Sequence, residues 1–222
     1  MRELNQSFTL SFLWGGIFLL KFKVCGLTRV EDAEKAVYLG ANAIGVIIGA
    51  ESKRRVSLEQ ARAILEKVPS SCWKVGVVAD VPVTEAYNLA RDLNLDLLQL
   101  HGRESPAYCS ALKWPAVKAW SVVYRDGSQL RKELEPFLQV VEAILLDNNR
   151  GGSGQNFDWT VLQNLRLPKP VWIAGGLNAE NIPKLLEIFQ PDLVDVNSGV
   201  ESQPGIKDAE KMARVAAIIR RF

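Results

Sequence analysis

Val171-Trp172-Ile173-Ala174-Gly175-Gly176-Leu177-Asn178 decides how this chain folds. Four apolar residues, too few for a helix, run into two glycines and then an asparagine suited to cap a helix. That is a strand, a tight turn and a helix start: the opening of one strand–helix unit. The pattern recurs in both directions along the chain. Apolar runs rich in Val, Ile and Leu occupy residues 20–25, 43–48, 73–79, 96–100, 116–120, 143–147, 171–174 and 193–196, each followed by a segment of helical period. Continuous rather than alternating apolar character suits strands covered on both faces, as in a parallel sheet. Their starts lie about 20–30 residues apart, the length of one strand–helix unit with its loops.

Helix starts are marked as well. Thr28 with Glu31 and Ser57 with Gln60 read as capping boxes, Ser105-Pro106 as an N-cap before a proline at the first helical position, and Asn178 as the cap of the seventh helix. Leu58, Ala61, Leu65 and Val68, and again Ala209, Met212, Val215 and Ile219, form apolar stripes of helical spacing. Residues 158–165 give the shortest helical segment, after a long loop. Eight such units make an α/β protein, a (β/α)8 (TIM) barrel in a single domain over residues 20–222. A doubly wound open sheet is second choice, because no Gly-x-Gly-x-x-Gly turn follows the first strand. Residues 1–19 read as an apolar N-terminal extension outside the barrel. The run 8–20 with Arg2 ahead of it is like a secretory signal, yet it is too short to span a bilayer and no small-x-small cleavage site follows. An appended or mis-started leader on a cytoplasmic protein is the expectation.

Rare residues and charge exclude several functions. With 27 basic against 25 acidic residues, the formal charge of +2 argues against a nucleic-acid binder. Three cysteines without a Cys-x-x-Cys pair suit reduced thiols. One histidine removes every two-His metal arrangement, so no transition metal is expected.

A barrel of this kind holds its active site at the C-terminal ends of the strands. There the chain carries Cys25, the cations Lys53, Arg54 and Arg55, Asp80, His101, Asp147, the loop Gly151-Gly152-Ser153-Gly154, and the turns Gly175-Gly176 and Ser198-Gly199. Glycines let backbone N–H groups approach a phosphate, and the loops after strands seven and eight commonly hold one in barrel enzymes. Gly175, Gly176, Ser198 and Gly199 therefore read as phosphate binders. Cys25 and Asp147 are candidates for proton transfer. By position alone Cys25 is either a base whose pKa a cationic setting has lowered or an inert buried thiol. Asp147 is a carboxyl that a barrel mouth could keep protonated as an acid. Cys72 and Cys109 lie away from these strand ends and read as structural. The cations suit an anionic substrate, with Arg able to grip a carboxylate through two parallel hydrogen bonds, or else they form a solvated loop. His101 either orients a substrate group or is a hydrogen-bonded wall residue.

These strand-end residues, in this order, resemble the phosphoribosylanthranilate isomerase family of tryptophan biosynthesis. The matching segments are Lys23-Val-Cys-Gly-Leu-Thr28, Gln99-Leu-His-Gly102, Leu146-Asp147, Gly151-Gly-Ser-Gly154, Phe157-Asp-Trp159, Ile173-Ala-Gly-Gly-Leu177, Asp195-Val-Asn-Ser-Gly-Val-Glu201 and Pro204-Gly-Ile-Lys-Asp208. The resemblance implies an Amadori rearrangement of N-(5-phosphoribosyl)anthranilate to the 1-deoxyribulose product without metal or cofactor. It makes Asp147 the general acid, Cys25 the general base, and Arg54 a partner of the anthranilate carboxylate, with His101 beside the substrate. Backbone around Gly175, Gly176, Ser198 and Gly199 would hold the phosphate. The partner expected is this small phosphorylated sugar-anthranilate, with no nucleic acid or membrane, on a monomer or homodimer. Two departures stand out. The family's Pro-Lys-Ser-Pro-Arg-Tyr-Val loop reads Ala50-Glu-Ser-Lys-Arg-Arg-Val56 here, and its Ser-Ser-Gly reads Asn197-Ser198-Gly199. A thiamine-phosphate-synthase-like transferase and a non-catalytic phosphate-ligand binder are the competing readings.

Overall fold

Strands β1 (Lys21–Val24), β2 (Ala43–Gly49), β3 (Trp73–Val78), β4 (Leu97–Leu100), β5 (Ala116–Ser121), β6 (Ala143–Asp147), β7 (Val171–Ile173) and β8 (Leu193–Val196) close in sequence order into one parallel barrel. The closure is between β1 and β8, where Lys23 stands opposite Asp195. This computed structural model describes residues 20–122, 127–148 and 157–222. The expected leader (residues 1–19) and the loop Gly151-Gly152-Ser153-Gly154 lie outside the described residues.

Outside the barrel run α1 (Val30–Tyr38), α2 (Leu58–Glu66), α3 (Val83–Asp92), α4 (Pro106–Ala111), α5 (Gly127–Leu134), α6 (Ile182–Ile188) and α7 (Ala209–Ile219). The strands read as continuously apolar because alternate residues enter two different cores. On β1, β2, β6 and β8 the residues Phe22, Val24, Ile44, Val46, Ile144, Leu146, Val194 and Val196 pack against the helices. Their neighbours Ala43, Ala143, Leu145 and Leu193 fill the interior with Val75, Leu97, Val117 and Trp172. Small side chains at 43, 119, 143 and 174 make room there for Trp172, which stacks on Trp73 at 6.2 Å.

The Ser57–Gln60 capping box forms in both directions, and Ser105 caps α4 ahead of Pro106. Thr28 does not cap α1. Arg29 occupies the N-cap position without a side-chain cap and instead grips Asp32 with Nε and Nη2, while the Thr28 hydroxyl donates to Gly205 O. Asn178 caps a turn rather than the helix itself: its Oδ1 accepts from the N–H groups of Glu180 and Asn181, and α6 begins at Ile182. The short segment at 158–165 is a 3-10 turn, Trp159–Leu162, not an α-helix. Asp158 caps it through Thr160 N–H, and its Trp, Thr and Val are weak helix formers.

A hairpin that the periodicity did not mark follows strand eight. β9 (Glu201–Gln203) and β10 (Ile206–Lys207) pair around Pro204-Gly205, with Gly205 at φ +86°. Proline followed by a glycine of positive φ is the chemistry of a tight turn. Among the described residues no helix is long and apolar enough to cross a membrane.

Candidate active site

A cavity of about 450 Å³ opens among the C-terminal strand ends. Cys25, Arg54, His101, Asp147, Gly175, Gly176 and Ser198 all line it, so the barrel gathers seven of the eight expected site residues. Gly199 sits behind the wall. A side chain there would run into Leu177 O, so this glycine lets the turns after β7 and β8 meet. Gly175 has φ +93°, and a Cβ on it would lie 2.8 Å from Asp147 Oδ1. Only glycine fits both the backbone conformation and the carboxyl beside it.

On the β1 side the sulfur of Cys25 and the end of the Lys23 side chain converge over Gly45, where a Cβ would lie 2.9 Å from Sγ and 3.2 Å from Nζ. Lys23 Nζ donates to Asp195 Oδ2 at 2.8 Å and to Gln99 Oε1 at 2.9 Å, with all three residues buried. Burial works against the ammonium, yet Asp195 and Cys25 hold it above its usual range. Burial likewise pushes the Cys25 thiol up, and Lys23 counters this only in part. The expectation of a cysteine activated by a cationic setting is therefore half met: the cation is present, but desolvation outweighs it. Asp195 Oδ1 is buried with no hydrogen-bond partner among the described residues, and Asp195 lines the cavity.

Across the barrel, Asp147 Oδ1 accepts from Asn148 N–H at 2.7 Å, and Oδ2 lies 3.5 Å from His101 Nε2. His101 Nδ1 is 2.9 Å from Gln99 Nε2. Beneath it, Lys118 Nζ donates to Leu100 O, Gly102 O and Glu104 Oε2, and Glu104 accepts from the N–H groups of Gly102 and Asp80. The histidine is thus held from both sides of its own backbone.

Of the three cations after β2, only Arg54 turns inward; Lys53 and Arg55 are exposed. The fork that could grip a substrate carboxylate is already engaged. Arg54 Nε and Nη2 donate to the two oxygens of Glu201 at 2.8 and 2.7 Å. Glu201 Oε1 also accepts from Lys207 Nζ at 2.8 Å and from Gly205 N–H at 3.1 Å. Burial alone would raise the Glu201 carboxyl; Arg54 and Lys207 override it and hold it below the carboxylate range. Cys72 and Cys109 are buried away from the cavity, and desolvation pushes them up to about 12 and about 11.

Sequence reasoning missed Lys23, Gln99, Asp195, Glu201 and Lys207 as site residues. Gln99 and Asp195 carried a signal: each is the lone polar residue of an otherwise apolar strand, whereas Lys23 shares β1 with Lys21 and does not stand out in this way.

A family model for N-(5'phosphoribosyl)anthranilate (PRA) isomerase matches residues 22–217. An N-(5'-phosphoribosyl)anthranilate isomerase of Pseudomonas putida is 40% identical over 197 residues, which span 87% of this chain and 94% of that protein. The crystal structure of a phosphoribosyl anthranilate isomerase from Thermus thermophilus superposes with a TM-score of 0.80 at 36% identity, covering 89% of this chain and 97% of that one. A phosphoribosyl anthranilate isomerase solved in complex with reduced 1-(o-carboxyphenylamino)-1-deoxyribulose 5-phosphate gives 0.79 at 30% identity, covering 91% and 100%. A match that runs the length of the barrel means that this chain belongs to the N-(5'-phosphoribosyl)anthranilate isomerase family.

Proposed function

We propose that this chain isomerises N-(5'-phosphoribosyl)anthranilate to 1-(o-carboxyphenylamino)-1-deoxyribulose 5-phosphate in tryptophan biosynthesis, in the cytoplasm and without a metal or cofactor. The observation that carries the reading is one cavity with Cys25, next after β1, and Asp147, at the end of β6, in its wall, and the glycine turn Gly175-Gly176 beside Ser198 at its edge. The acid step belongs to Asp147. Its proton passes to the ribose ring oxygen, the ring C1–O bond breaks with its electron pair on oxygen, and the nitrogen lone pair closes a C1=N bond. Cys25 thiolate then takes the C2 proton. The C2–H pair becomes the C1=C2 bond, the C=N pair returns to nitrogen, and the enolamine tautomerises to the ketone.

The remaining residues bind. Backbone N–H groups of Gly176 and Ser198 meet the phosphate, with Gly199 letting the two turns close on it. With Nε and Nη2 on Glu201, Arg54 offers Nη1 to the anthranilate carboxylate, a single contact on a guanidinium whose direction Glu201 fixes. Asp195 Oδ1 supplies an acceptor for a substrate N–H or hydroxyl.

Restoration of growth without tryptophan to a strain lacking the isomerase tests the whole reading, together with turnover of the phosphoribosylanthranilate by the purified chain. Burial raises the Cys25 thiol, so the thiolate base gains population as the solution becomes more alkaline. The rate of Cys25 alkylation by iodoacetamide, with Cys25→Ser as the control, therefore rises from pH 7 into the alkaline range. A profile that falls over that range would remove Cys25 from the role of base.

A further inference from the structure

A line of hydrogen bonds crosses the barrel from Asp195 through Lys23 and Gln99 to His101, whose Nε2 stands 3.5 Å from Asp147 Oδ2. Each direction along it is dictated by its neighbour. The Lys23 ammonium has donors only, so the Gln99 atom that meets it at 2.9 Å must be the carbonyl oxygen, Oε1. The other end of the amide is then the NH2 group, and it lies 2.9 Å from His101 Nδ1. A donor facing Nδ1 requires a lone pair there, which leaves the imidazole proton on Nε2. Nε2 is the nitrogen that faces Asp147 Oδ2 at 3.5 Å, an approach that substrate binding can tighten.

We propose that Gln99, oriented by Lys23, is a positioning residue that holds His101 in the Nε2–H tautomer, so that the acid carboxyl of Asp147 meets a donor and never a competing acceptor. This deepens the isomerase reading and rests on its assignment of Asp147 as the general acid. The opposite tautomer would aim an Nε2 lone pair at the carboxyl. That lone pair would accept the Asp147 proton in an O–H···N bond and hold it away from the ribose ring oxygen. With N–H in its place, the carboxylate left after proton transfer has one donor bonded, Asn148 N–H at Oδ1, and a second facing it, His101 Nε2–H at 3.5 Å from Oδ2. Donors already in place where charge develops favour the transferred state. Lys118 and Glu104 serve the same end from below, since they fix the backbone on both sides of His101.

The chain has one histidine, so an imidazole 15N–1H spectrum of the untagged full-length protein contains the signals of this ring alone. In mildly alkaline solution the expected spectrum shows a protonated-type Nε2 and an unprotonated-type Nδ1. Gln99→Glu places an acceptor opposite Nδ1 and should move the proton there; Gln99→Met keeps the shape, removes both hydrogen bonds and should give a mixture of tautomers. In both variants kcat should fall roughly tenfold or more, within the range of general acid catalysis, with KM changed less than about twofold. A wild-type ring protonated on Nδ1 overturns the proposal. So does a folded Gln99→Met protein with unchanged tautomer and unchanged kcat. A wild-type protein that does not isomerise the substrate refutes the isomerase reading instead, and the spectrum still decides whether Gln99 sets the tautomer.

Discussion

The two ends of the cavity are built in different ways. Cys25 follows β1 directly, Asp147 ends β6, and the groups that orient them, Lys23, Gln99 and Asp195, stand on strands of the same closed ring. Arg54 stands on a loop, and what aims it is a second loop element, the β9–β10 hairpin with Glu201 and Lys207. Strand-borne groups take their direction from the barrel's own hydrogen bonds, whereas the loop-borne arginine takes its direction from one buried carboxylate. Proton transfer tolerates little displacement, and the acid and base proposed for it stand at strand ends of the closed barrel.

The largest effects should come from the strand-borne end. Asp147→Asn and Cys25→Ser are each expected to lower kcat by roughly 10²–10⁴-fold, the range for removing a general acid or base. Phosphate-ligand binding, measured by calorimetry with ribose 5-phosphate, should persist in both. Near-normal turnover in either variant would undo the division of roles between the two residues.

Glu201→Ala should separate the two ends most clearly. It leaves the Arg54 and Lys207 cations buried beside an empty position, and breaking such a buried pair costs about 3–5 kcal/mol. A urea-unfolding midpoint shifted downward at constant m is the stability readout. The same variant should raise KM, because Arg54 loses the partner that aims it, while kcat of the remaining folded protein stays near wild type. A kcat loss as large as that of Asp147→Asn would mean that the hairpin serves the chemistry directly.

Arg54→Ala is a smaller change. It leaves Glu201 with Lys207 and the Gly205 N–H as partners. One hydrogen bond to a charged group is worth about 1.5–3 kcal/mol, so KM should rise roughly tenfold or more with kcat little altered. An unchanged KM would show that the carboxylate is held elsewhere.

The same division explains what the sequence could and could not reveal. Apolar runs, the Ser57 and Ser105 caps and the glycine turns are local patterns, so eight strands and their order are readable from neighbouring residues. Cys25 and Asp147 follow from that order, because a barrel brings strand ends together wherever they lie in the chain. The partners do not follow. Lys23 meets Asp195 across 172 residues and Arg54 meets Glu201 across 147, and no local pattern marks either pair. Thr28 shows the opposite failure: a well-formed capping pattern was overridden because its hydroxyl is used on Gly205, far along the chain. Nor does a local pattern say which of Lys53, Arg54 and Arg55 turns inward: the partner at 201 takes Arg54, and the other two stay exposed.

The smallest expected effect follows from that last point. Lys53→Ala and Arg55→Ala remove exposed charges on the same loop as Arg54, one on either side of it. If the loop attracted its substrate as a diffuse patch of charge, each variant would weaken binding about as much as Arg54→Ala. The geometry argues otherwise, because exposed charges are screened within roughly a Debye length, while Arg54 is buried and doubly bonded to Glu201. KM for either variant should therefore stay within about twofold of wild type at physiological ionic strength and move slightly upward only at low salt. A tenfold rise at physiological salt would shift substrate attraction from the single aimed guanidinium to the loop as a whole.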